Sequence, residues 1–126
     1  MRTLGQKRAQ FALEKVMAIP EGTKKKFEPF SKGAPSMILQ NGFGQTLAFW
    51  ASKAKDNNEH TAMLSLIKEW LSYSQNDIHN DFVPRTKTNQ EFFQAISTMS
   101  QSKYLAAQNE TLALLEWVKR FANAGF

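Results

Sequence analysis

The chain has no cysteine among its 126 residues. That excludes a disulfide framework, cysteine-bound zinc and thiol catalysis. Histidine is nearly as scarce, with only His60 and His79, and neither falls in an HExxH or Glu-x-x-His pattern. Asp77-Ile78-His79-Asn80-Asp81 alternates ligand types, but alternation puts ligands on one face only in a strand, and this stretch reads as a polar loop. No metal is expected. Serines are plentiful, yet none lies in a Gly-x-Ser-x-Gly elbow. Gly42-Phe43-Gly44 lacks the third glycine of a dinucleotide fingerprint and follows no strand, and no Gly-Lys-Ser/Thr marks a phosphate loop. No cofactor and no catalytic residue are therefore expected. Apolar runs fall short of the roughly 18 residues of a membrane span. The basic N-terminus has no apolar stretch behind it, so a secretory signal is not expected. The expectation is a soluble, cytoplasmic protein with no membrane partner.

Period-2 alternation bounded by hairpin turns is also missing, so no strand is expected. What is present is apolar residues at helical spacing, with three Trp and ten Phe as bulky core material. The spacing predicts helices over about 3–19, 36–53, 59–73, 89–99 and 101–124. Pro20 closes the first, and Lys24-Lys25-Lys26 through Pro35 reads as an exposed basic connection with at most a short helical turn. Residues 74–88, broken by Pro84, read as a mobile surface connection. The fold class is all-α: one domain, residues 1–126, a bundle of five or six helices.

The net charge of +5 is unevenly spread, with +7 over residues 1–55 and −2 over residues 56–126. A basic half on a small domain suits a polyanion, most simply nucleic acid phosphates, against the plainer reading of solubility alone. The candidate contacts are Lys7, Arg8 and Lys15 on the first helix, the cluster Lys24, Lys25 and Lys26, then Lys53 and Lys55. Lys119 and Arg120 join them, although helix-dipole complementarity would also place cations there.

Gly42 and Gly44 stand inside an apolar, helix-patterned run from Ile38 to Trp50. Each glycine costs a helix about 1 kcal/mol relative to alanine. Keeping two predicts close approach of another helix, or a local break, with Gly42 at a contact where a Cβ clashes. Phe11, Leu105 and Leu112 project from faces opposite the predicted core stripes and are candidate contacts between subunits.

Three segments together carry a resemblance: the opening Gln6-Lys7-Arg8-Ala9-Gln10-Phe11-Ala12, the glycine-containing stretch from Ile38 to Phe49, and Tyr104 and Glu110 followed by Ala113 to Ala122. In this order and at this length the chain resembles the small α-helical subunit of the type III-B CRISPR effector, the Cmr RAMP module. The resemblance implies a non-catalytic protein stacking in several copies beside the crRNA-bearing backbone and lining the channel for target RNA. Its partners would be target RNA and crRNA, other Cmr subunits and further copies of itself. Target cleavage and second-messenger synthesis would belong to other subunits. The rival from a different class is a small helical DNA-binding regulator, which needs two short helices joined by a three- or four-residue turn, with basic readers on the second.

Overall fold

The fold is seen in a computed structural model that describes residues 1–86 and 88–126. Helix α1 (Leu4–Met17) opens on a capping box. The Thr3 hydroxyl accepts from the Gln6 N–H at 3.1 Å, and the Gln6 carboxamide accepts from the Thr3 N–H at 2.8 Å. Pro20, whose ring presets its backbone, then starts α2 (Glu21–Asn41), a single helix of 21 residues.

The segment expected to be a basic connection is thus helical throughout, Lys24 to Lys26 and both internal prolines included. Each proline removes a backbone donor, but a buried stripe of Thr23, Phe27, Ser31, Ala34 and Ile38 recurs at steps of three and four and holds the helix in place. Tertiary burial outweighs local propensity here.

Helix α2 ends at Gly42, which has φ 91° and ψ 154°, a region that only glycine enters freely. This one residue caps both neighbours. Its N–H donates to the Ile38 carbonyl at 2.9 Å, and its carbonyl accepts from the Thr46 N–H at 3.1 Å. Helix α3 (Phe43–Lys53) therefore starts afresh at Gly42, and the continuous helix expected through both glycines is broken. The Thr46 hydroxyl donates to the Met37 carbonyl at 3.0 Å and ties the two sides of the bend.

Asn58 caps α4 (Glu59–Leu71) by accepting from the Thr61 N–H at 2.9 Å. Next comes a hairpin too short to change the fold class, β1 (Ser74–Gln75) and β2 (Ile78–His79), with Asn76 in the left-handed region at φ 56°. The expectation of no strand fails at this one point. The connection is also pinned: Ile78 and Val83 are buried, and Asn80 binds the Tyr73 carbonyl through its N–H at 2.8 Å and the Trp70 carbonyl through its side chain at 2.7 Å. Position 87 of that expected connection lies outside the described residues.

Helix α5 (Asn89–Thr98) begins with a second capping box, Thr88 and Glu91, and packs on α3. Helix α6 (Gln101–Asn123) lies along both α1 and α2, and α4 fills the space between α2, α3 and α6. Trp50, Trp70, Phe27, Phe43 and Phe92 lie at the centre of the single core.

Candidate nucleic-acid interface

The basic side chains divide into two groups according to what they touch. On the α1 side they are ion-paired. Arg8 donates from Nε at 2.6 Å and Nη2 at 2.9 Å to the Glu110 carboxylate, which also accepts from the Trp70 indole N–H at 2.9 Å. Glu110 is 8% exposed, so the network joins α1, α4 and α6 inside the molecule. That hydrogen-bonded carboxylate raises the guanidinium pKa above its usual value, against the opposing pull of burial. Arg2 binds Asp77 through two nitrogens, at 2.7 Å and 3.3 Å, and Lys7 reaches the Asp77 carbonyl at 2.8 Å. The Arg2 bond is the main force holding the Asp77 carboxyl below its ordinary pKa, with Lys7 adding to it. Lys15 pairs with Glu69 at 2.6 Å and lies 5.4 Å from the centroid of the Phe11 ring.

Elsewhere the charge is less committed. Lys24 donates to the Phe126 carbonyl at 2.9 Å and stands 3.4 Å from Glu21, and Lys119 pairs with Glu116 at 3.1 Å. Among the described residues no ion pair reaches Lys25, Lys26, Lys53, Lys55, Arg85, Lys103 or Arg120. Lys24 to Lys26 also sit near the positive end of α2, where cations do not stabilise the helix. Burial lowers the pKa of Lys68, which donates to the Asn89 carboxamide at 2.8 Å, while nearby Glu91 pulls the other way.

The two glycines do different work. Nothing lies within 4 Å of a Cβ added at Gly42, so the expected close contact there is corrected to a backbone requirement. The close approach belongs to Gly44, where an added Cβ would stand 3.2 Å from the Tyr104 hydroxyl oxygen. That oxygen accepts from the Gly44 N–H at 2.8 Å, and the Tyr104 ring meets Phe43 edge-on at 5.6 Å. The subunit-contact candidates also separate. Phe11 is 2% exposed, packed against Trp70 at 4.8 Å and Tyr73 at 5.0 Å, so it is core. Leu112 is partly buried on the core, and only Leu105, 46% exposed, remains an outward apolar side chain.

Two segments of the resemblance, around Arg8 and Glu110, thus meet in one buried network, and a third meets Tyr104 at the helix bend. This arrangement spans the chain, and so does its likeness to known proteins. The sequence profile of the family described as CRISPR-associated protein (Cas_Cmr5) matches residues 4–125. The chain belongs to the Cmr5 family. A curated Cmr5 relative, the "CRISPR system Cmr subunit Cmr5" of Thermus thermophilus, is 30% identical over 125 residues, covering 98% of this chain and 96% of the relative. The crystal structure of a CRISPR-associated Cmr5 family protein from the same organism superposes with a TM-score of 0.76 at 31% identity, over 98% of this chain and 97% of that one. A Cmr5 fold accounts for the six helices and the single all-α domain described above.

Several residues at the bend carry no mark in the sequence pattern. Gln40, Asn41, Gln45 and Phe49 line a groove between α2 and α3 together with Met37 and Thr46. Their periodicity makes them ordinary surface positions. Only the glycine at position 42 signals that two helix faces meet there.

No helix among the described residues is long and apolar enough to cross a membrane.

Proposed function

We propose that this chain is a non-catalytic small subunit of a type III-B CRISPR ribonucleoprotein, stacking in several copies and helping to hold target RNA and crRNA through its unpaired cations. The observation that carries the reading is the family match from residue 4 to residue 125. The T. thermophilus relative is by name a subunit of the Cmr system, which supports other Cmr subunits as partners here. The unpaired cations Lys25, Lys26, Lys53, Lys55 and Arg120 supply a phosphate-binding surface that needs no particular sequence. Lys7, Arg8 and Lys15 contribute less, because each is held by a carboxylate. The DNA-regulator alternative is weaker. Only α1–α2, joined through Ala18–Pro20, has a turn of that length among the described residues, and its second helix runs for 21 residues rather than forming a short reader.

Reconstituting the Cmr complex with this subunit and measuring target RNA capture across a salt series tests the proposal. Alanine at Lys24, Lys25 and Lys26 together should weaken capture and reduce the log–log salt slope by about 0.7 for each phosphate no longer bound. Failure of the chain to co-purify with any Cmr subunit would refute the assignment. An unchanged slope beside a large loss for Lys119→Ala with Arg120→Ala would move the RNA surface to α6.

A further inference from the structure

The α2–α3 bend brings together side chains that the bundle itself does not use. Phe49 is a fully formed aromatic surface left 49% exposed, with the Lys53 ammonium 5.6 Å from its ring centroid. Gln45, Phe49 and Lys53 follow one another at steps of four, so they form a single stripe along α3. Gln40 and Asn41 face that stripe from the last turn of α2, across the groove that Gly42 creates. None of the three carboxamides makes a side-chain hydrogen bond within the described residues. From Pro29 to Lys55 the sequence contains no Asp or Glu; Lys53 and Lys55 make no ion pair among the described residues, whereas Lys32 pairs with Glu28 at 3.1 Å.

We infer that this groove is a single-stranded RNA subsite, with one base stacked on Phe49, its edge met by the carboxamides of Gln40, Asn41 or Gln45, and the adjoining phosphate held by Lys53. The inference rests on the RNA-holding function proposed above and gives that function a place. Aromatic faces beside cations are the general means of binding single strands, because every base has a π-face and every nucleotide a phosphate. Carboxamides supply both a donor and an acceptor to a base edge. A purely apolar protein partner would leave the three amides without partners. The absence of carboxylates from the whole segment removes the repulsion that a polyanion would meet. Thr46, tied to the Met37 carbonyl, keeps the groove walls at a fixed spacing.

The test uses the full-length chain, a fluorescein-labelled 20-nucleotide single-stranded RNA and fluorescence anisotropy over a salt series, with thermal melting of every variant. Phe49→Ala should weaken binding about tenfold, within the range for losing one stacked base, and leave the salt slope and the melting temperature unchanged. Phe49→Tyr should bind like the parent. Lys53→Ala should lower the slope by about 0.7. Photocrosslinking of 4-thiouridine-substituted RNA should label the peptide from Gln45 to Lys53. If Phe49→Ala binds like the parent while alanine at Lys25 and Lys26 abolishes binding, the subsite is overturned and the RNA-holding function stands. If the parent shows no salt-dependent RNA binding, alone or in the reconstituted complex, both fail together. If Phe49→Ala leaves RNA capture intact but prevents incorporation into the complex, the groove is a protein contact and the inference is wrong.

Discussion

The α1 side and the α2–α3 side of this molecule carry the same kinds of residues and use them in opposite ways. On the α1 side, Arg2, Lys7, Arg8 and Lys15 are neutralised by Asp77, Glu110 and Glu69, and the aromatic Phe11 is enclosed by Trp70 and Tyr73. On the α2–α3 side, Lys25, Lys26 and Lys53 have no carboxylate partner among the described residues, and Phe49 stands half exposed beneath a lysine. The positive charge of the first 55 residues is therefore not the charge available to a ligand. The acids that neutralise the α1 cations come from beyond residue 55, whereas α2 carries the local pairs Lys24–Glu21 and Lys32–Glu28. The α1 cations are bound into the fold by distant carboxylates, whereas Lys25, Lys26 and Lys53 make no ion pair among the described residues.

Removing the buried carboxylate tests that contrast most severely. Glu110→Ala strands the Arg8 guanidinium and the Trp70 indole N–H, and should cost about 3 kcal/mol in urea unfolding, in keeping with breaking a largely buried pair. Arg8→Met combined with Glu110→Met should recover part of that loss. A cost below 0.5 kcal/mol, on the order of an exposed pair, would erase the distinction between the two sides. Next in size is Gly42→Ala, at about 1–3 kcal/mol, because any side chain is strained at φ 91° even in open space. The larger Gly42→Leu should cost little more, which separates strain from overpacking.

Tyr104→Phe should cost about 1 kcal/mol by leaving the Gly44 N–H without its acceptor. Gly44→Ala should be better tolerated in that background than in the parent, since the hydroxyl oxygen is what an added Cβ meets. A double-mutant cycle with no coupling would contradict the close approach. The smallest effect concerns Asp77. Its pKa is lowered in the folded state, so its pairing with Arg2 and Lys7 contributes stability above the unfolded carboxylate range near 4 and loses it as pH falls through the lower folded value. Asp77→Asn should flatten the acid limb of the stability curve, as read by thermal melts from pH 2 to 6, by slightly lowering the neutral plateau while leaving the melt at pH 2 unchanged.

The sequence showed the helices wherever one apolar face dominates. Met63, Leu66, Ile67 and Trp70 in α4, and Phe92 and Ile96 in α5, lie inward as their spacing requires. It misled where polar residues are covered by distant partners. In α1 the true inner stripe runs through Phe11, Ala12 and Val16, flanked by Arg8 and Lys15. Hydropathy alone sets those cations facing water and pushes Phe11 outward with them. In α2, two prolines and three lysines resemble a loop until α6 covers Phe27, Ala34 and Ile38. The family was legible because three widely spaced segments stand in a fitting order along a chain of fitting length. The groove at the bend was not, since a single glycine dihedral creates it, and sequence spacing carries no dihedral.

The Arg8–Glu110 network has a consequence for synthesis on the ribosome. The two residues are 102 positions apart, so at a translation rate of about 5–20 residues per second α1 waits roughly 5–20 s for its partner helix to be made. Until α6 emerges, the first helix has Trp70 at the end of α4 and Tyr73 just beyond it to cover Phe11, and Arg8 remains hydrated. The nascent chain is thus a set of uncovered amphipathic helices that closes only when its two most distant segments meet. This makes the last helix, rather than the first, the step that commits the protein to its fold.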